Sequence, residues 1–363
     1  MILLILLLLT AVSAVAEEER ILNALDLEAL EQVGSAAGVD VEGAIRELLT
    51  GDLETGTGVL NALAESAKAT ILKDVRPVVL ELMTPMVVTL ALRLMLGRKA
   101  VDGGAIHFVC RAGVIAVLAA AFARLNGLAK ALMSDILRCS NALAPAMIAA
   151  AALSGSESAA AMLTPMSALC ANLIQNFLGR WGFVLCSAAA AVAIGGNLSE
   201  GIRLKHLHGL FKQLLNWMAG LLMAGFMSAL SIQGRLSSGR DSVAAQTARY
   251  AIESIVPVIG GDVSDSLDSL LATAFAVKNA VGVSGLTVLC AVCLTPLCRL
   301  AGMSMALKLA SAIAEPLGDD GMTALTGQFA DSVEMLLVVC LVGAVLCAML
   351  IGSCMSAAAN IAR

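Results

Sequence analysis

The sequence predicts an all-α, polytopic helical membrane protein, and three observations carry that. Of its 363 residues, 59% are hydrophobic and only 14% are charged, where soluble domains average about 25% charged. The mean hydropathy is +0.89. The apolar residues come in long runs, whereas a transmembrane β-barrel shows short alternating segments. Aromatic residues make up 3%, with one tyrosine, Tyr250, so the aromatic belt of a membrane interface is thin. Trp181 and Trp217 stand at the edges of apolar runs, as anchors would. Abundant Ala and Gly favour close approach of helix backbones in lipid.

Residues 1–16, MILLILLLLTAVSAVA, join an apolar core to a small-x-small cleavage pattern at Ala14-Val15-Ala16. That is the form of a secretory signal peptide, although no Lys or Arg precedes the core, and an uncleaved anchor is the alternative. Residues 17–76 form an acidic segment in which acids outnumber bases thirteen to five. Its apolar spacing suggests short helices, and the signal would place it on the extracytoplasmic side. Its Gly51–Gly58 loop lacks the Lys-Ser/Thr that a phosphate cradle needs.

From residue 77 the chain enters the membrane. A first bundle covers 77–233 and C-terminal membrane helices cover 280–363. Candidate spans are 77–96, 105–123, 139–154, 159–178, 181–198, 214–233, 280–299 and 335–353, judged against the ~20 apolar residues a bilayer needs. Residues 139–178 read as a hairpin turning at Ser154–Ser158. The segment 302–317 is either a half-span or a further full span despite Lys308. Glu81 and Arg111 are intramembrane charges, which snorkel, pair or face water. Pro145, Pro165 and Pro296 are candidate helix breaks.

The stretch 199–213 is basic and amphipathic, and Arg203, Lys205 and Lys212 mark a cytoplasmic surface. His206 and His208 are two apart, off a common helical face, and read as plain surface residues, since zinc ligands on one helix need spacing of three or four. Gly220, Ala224 and Ser228 form a small-xxx-small packing face. Alternating spans place Arg98-Lys99 and 199–213 inside, but leave Arg124, Lys130 and Arg138 in an external loop, against the positive-inside rule.

Residues 234–279 are a polar interruption, read as an amphipathic helical hairpin. Arg249 and Glu253 pair one turn apart on the first helix. Pro257 and Gly260-Gly261 break it, and Asp262 caps the second helix with Asp265 in its first turn. Asp265 and Asp268 belong to the polar face of that helix. The hairpin either packs its apolar side on the bundle or turns its polar face to a partner or an aqueous path.

For chemistry, the sequence offers three histidines and no nucleophile–base pair, P-loop, dinucleotide fingerprint or HExxH motif. No enzyme, cofactor or metal site is expected, and no basic block points to nucleic acid. The ten cysteines lie in or at the ends of apolar runs and read as buried packing residues, the CxxC at Cys290 and Cys293 included. A conduit, a scaffold of a membrane machine, and a secondary transporter or permease for a small solute all fit.

Three motifs add to this. SIQG at 231–234, TARYAIESIVPVIGGDVSDSLDSLLATAFAVKNAVGVSGL at 247–286 and LKLASAIAEPLGD at 307–319 resemble the stage III sporulation protein AE family. The layout of signal, acidic segment and late spans is similar across nearly the whole chain. The missing basic residues before the apolar core and the scarce aromatics depart from the pattern. The resemblance implies a multipass component of a channel or secretion-like complex between mother cell and forespore, in the mother-cell membrane around the forespore. It implies membrane, ring-forming and ATPase partners. It makes Arg240, Arg249, Pro257, Gly260, Asp262, Lys278 and Asn279 the residues expected to carry family-specific contacts, with no catalytic role.

Overall fold

A computed structural model describes residues 105–153, 157–198, 204–255, 260–315 and 320–359. Every regular element among them is helical. These are α1 (Ala105–Leu153), α2 (Glu157–Asn172), a π-helical segment (Leu173–Gly182), α3 (Phe183–Leu198), α4 (Lys205–Ile255), α5 (Gly260–Ala314) and α6 (Asp320–Ala359). Five stretches among the described residues are long and apolar enough to cross a membrane: Ala112–Ala149, Leu163–Asn197, His206–Ile232, Val281–Ala312 and Thr323–Ser353.

Side-chain contacts fix the direction of each helix. Phe122 meets Phe329 edge to face at 6.4 Å, and the Cys340 thiol lies 3.6 Å from the Ala129 carbonyl. Numbers climb together, so α1 and α6 run parallel. Ser311 bonds the Thr323 carbonyl at 3.0 Å and Ser304 that of Ala330 at 3.5 Å, so α5 runs against α6. Asn197 reaches Gln328 while Gly182 abuts Val339, so α3 also runs against α6. His208 and Lys212 meet Ser332 and Glu334, which returns α4 parallel to α6. The result is an up-and-down bundle in which α6 packs on α5, α1, α3 and α4. Its Leu325, Phe329, Leu336, Cys340, Leu346 and Cys347 are sealed in the core.

Close approach depends on glycine at a few crossings. A Cβ on Gly285 would come within 2.5 Å of Leu143, and one on Gly343 within 3.0 Å of Met133. Gly182 faces Val339 at 3.1 Å in the same way. In lipid, where apolar surface is solvated equally well by tails, such van der Waals contact is what holds helices together.

Several sequence expectations are corrected. Residues 105–123 and 139–154 are not two spans but one 49-residue helix, α1, about 73 Å long at 1.5 Å per residue. The external loop proposed for Arg124, Lys130 and Arg138 is thus helical, and the conflict with charge bias there disappears. Likewise 159–178 and 181–198 are one continuous rod, because the π segment carries the helix through Arg180. Trp181 therefore lies within a rod and not at its end, although it is exposed. Segment 302–314 is the end of α5 and not a separate span. Pro145, Pro165 and Pro296 all lie inside helices; neighbouring helices and local adjustment tolerate proline in such bundles. The break between the helices of the expected 139–178 hairpin does fall at 154–156.

The face of Gly220, Ala224 and Ser228 points outward, and nothing lies within 4 Å of a Cβ built on Gly220. It packs on no helix of this chain among the described residues. Cys139, Cys170, Cys186, Cys293, Cys340 and Cys347 are buried as expected, while Cys290 is exposed. The segments 1–16 and 17–76, and the span 77–96 with Glu81, lie outside the described residues.

Candidate functional site

The connections after α3 and after α5 lie at the same end of the bundle, because α3 and α5 run one way and α4 and α6 the other. This geometry brings the first turns of α4, the last turns of α5 and the third and fourth turns of α6 together. A line of charge is built there. Lys212 on α4 donates to Asp331 Oδ1 at 2.7 Å and to Glu334 Oε2 at 3.0 Å. Lys308 on α5 donates to the same Glu334 oxygen at 3.0 Å. Two ammonium groups and two carboxylates thus alternate as Asp331, Lys212, Glu334 and Lys308, and the line is neutral.

The spacing explains why α6 can hold it. Asp331 and Glu334 are three apart and share a face, with Gln328 one turn earlier on the same side. Gln328 accepts from Asn197 Nδ2 at 3.1 Å, joining α3 to the line. On α4, His208 is one turn before Lys212. Its Nε2 lies 3.2 Å from Ser332 Oγ, and both residues are buried. Ser332 in turn donates to the Gln328 carbonyl at 2.9 Å. Four helices are therefore tied at one level by polar contacts. Lys212, Asp331 and Glu334 are each about one-third exposed, so the clamp is closed on the bundle side and open to its surroundings on the other. Charges inside span-length helices are costly unless they pair, and here each finds an opposite charge on another helix.

These residues are not the ones the sequence singled out. His208 was expected at the surface and is instead buried, because it lies on the side of α4 that meets α6. His206 is exposed as expected. Lys212, read as a cytoplasmic surface marker, is bound inside the clamp. The available signal was two acids three apart at the entry to an apolar run, and a lysine four residues after a histidine. Nothing in the chain says that these two pairs meet.

The expected site residues do not converge on the clamp. Arg240 and Arg249 lie on α4 beyond its apolar stretch, and Gly260, Asp262, Asp265, Asp268, Lys278 and Asn279 lie on α5 before its own. The polar interruption is therefore not a separate pair of short helices: its two arms continue α4 and α5. Helix α5 begins at Gly260, so Asp262 lies in its first turn and does not precede it. Pro257, between the arms, and the side chains of 233–280 lie outside the described residues. Arg111 is on α1, with its side chain likewise outside them.

The five apolar rods and the paired charges at one end define a class, a multipass helical membrane protein. Residues 58–358 match the family of stage III sporulation protein AE, and the chain belongs to that family. It is 26% identical over 181 residues to the stage III sporulation protein AE of Bacillus subtilis (strain 168), a match covering 49% of this chain and 44% of that protein. The matched part is less than half of that relative's length. No solved structure matches the chain.

Proposed function

We propose that this protein is a multipass membrane subunit of a sporulation-specific channel or secretion-like complex linking mother cell and forespore, acting as its conduit or scaffold. Membership of the stage III sporulation protein AE family carries the reading. The bundle supports it in two ways. Five span-length helices give a body that must be seated in a bilayer, and the clamp makes that body rigid at one end. Helices α4 and α5 continue past their apolar stretches into the polar segment, and its residues are the ones this reading gives to partners. The partners in this reading are other membrane, ring-forming and ATPase subunits, in the mother-cell membrane around the forespore. The chain itself contributes no catalysis or cofactor.

Solubilisation of sporulating cells in mild detergent tests the reading. Affinity capture of the tagged chain is expected to recover membrane and ring-forming proteins with it, and replacing Arg240 and Asp265 with alanine is expected to weaken that recovery. Saturable uptake of a small solute by proteoliposomes holding this chain alone would instead identify an independent transporter.

A further inference from the structure

Among the described residues, α1 is the rod that presents no large apolar side chain to its surroundings. Leu169, Trp181 and Val184 are exposed on the rod Leu163–Asn197, Leu210, Trp217 and Leu221 on α4, Met305 and Leu309 on α5, and Leu341 on α6, as suits helices that meet lipid. The exposed positions of α1 are instead small or polar. Ala116, Ala120, Ala123, Gly127 and Ala131 recur at intervals of three and four, so they share one side. Arg124, Lys130, Ser134, Arg138 and Asn141 are exposed on that same side. A Cβ built on Gly113 or Gly127 meets nothing within 4 Å. Depth gives this face its meaning. Phe122 packs on Phe329, and Met133 and Ile136 lie over Gly343, so residues 124–138 run beside the middle of the apolar stretch Thr323–Ser353 of α6. Ionisable groups at that level pair, or face a bundle interior or water.

We propose that the outer side of α1 is one wall of an aqueous path through the membrane, with neighbouring subunits supplying the other walls, and that the path favours small anions. This rests on the conduit reading given above and names the residues that would meet the solute. Asp135 pairs with Arg138 at 3.6 Å, but the two side chains stay 45% and 73% exposed, and one acid answers one base. Lys130 and Arg138 together therefore leave positive charge in excess of Asp135. The apolar stretch 77–96 carries one acid and one base, Glu81 and Arg93, so it brings no net negative charge to offset that excess. Two copies of the face pressed together would set like charges against each other. Water solvates the bases without either difficulty, and the small side chains around them leave it room. Lysine and arginine lining a pore select for anions.

Thiol labelling of the full chain in membranes of sporulating cells tests this, with the chain's own exposed cysteines replaced. A120C, G127C, A131C and S134C are each expected to react with impermeant methanethiosulfonate reagents. Native Cys139, buried on the other side of α1, and L221C, on the lipid side of α4, should stay protected. With each rate divided by that of the same reagent on a free thiol, the anionic sulfonatoethyl reagent should modify A131C at least threefold faster than the cationic trimethylammonium reagent. K130Q/R138Q should abolish that ratio; if this variant fails to accumulate in the membrane, K130Q alone should lower it. Equal normalised rates at A131C would overturn the anion preference. Protection of all four cysteines would overturn the proposal, since protein or lipid then covers the face. Such protection in a chain that still captures its membrane partners would leave the scaffold reading standing. Reactive cysteines in a chain that captures no partner would instead uphold the aqueous face and overturn the complex.

Discussion

Glu334 decides how the clamp behaves at the level of single residues. One of its oxygens accepts from both Lys212 and Lys308, while Asp331 relies on Lys212 for its ion pair. Lys212→Ala therefore leaves Asp331 without its lysine, whereas Lys308→Ala leaves Lys212 bridging both acids. Breaking a fully buried pair costs about 3–5 kcal/mol, but Lys212, Asp331 and Glu334 are one-third exposed and Lys308 nearly half, so the pairs are partly screened. A loss of about 1–2 kcal/mol is expected for Lys212→Ala and less than about 1 kcal/mol for Lys308→Ala. Thermal unfolding in detergent checks the order, and a larger drop for Lys308→Ala would show that the alternating line is not what holds α4. Each charge was legible in the sequence as an ionisable group beside an apolar run. The pairing was not, because Lys212 and Glu334 are 122 positions apart.

For whole elements, the crossings that matter are those where glycine lets helices touch. Gly285→Val and Gly343→Val should each destabilise the bundle by about 1–3 kcal/mol through overpacking, since Leu143 and Met133 occupy the space a side chain needs. Gly220→Val should fall within about 0.5 kcal/mol, as a surface substitution does. If the unfolding transition of Gly220→Val moved as far as that of Gly285→Val, the outward placement of that face would be wrong. The sequence read Gly220, Ala224 and Ser228 as the packing face from spacing alone. Spacing shows that a face is smooth, but not whether another helix lies on it. Helix joints were misread for a related reason. Arg124, Lys130, Asp135 and Arg138 interrupt the apolar run, and a charged interruption of a run looks like a loop unless tertiary contacts carry the helix through it.

At the scale of the whole molecule, the five rods among the described residues alternate in direction. The connections at 199–203 and 315–319 therefore belong to one side of the membrane, and those at 154–156 and 256–259 to the other. Cysteines placed at 201 and 318, in a chain whose own exposed cysteines are replaced, should react alike with an impermeant thiol reagent. Those at 155 and 258 should show the opposite pattern. Labelling of 201 and 318 from opposite sides would break the up-and-down order. Seven of the eight spans read from the sequence fall among the described residues and make five rods there, because two long rods were each cut in half; the eighth, 77–96, lies outside those residues.

The sequence by itself determined the class and the family. Composition and the length of apolar runs require a helical membrane protein, since only helices or closed barrels satisfy the backbone in lipid. The motifs around 231–319 indicated stage III sporulation protein AE, and the match over residues 58–358 agrees. Only the tertiary structure decided how many rods those runs make, which face of each is inside, and that Lys212, Lys308, Asp331 and Glu334 form one clamp. Helix periodicity sets which residues share a face, but a bundle is held by contacts between distant segments, and no local pattern encodes the partner of a face.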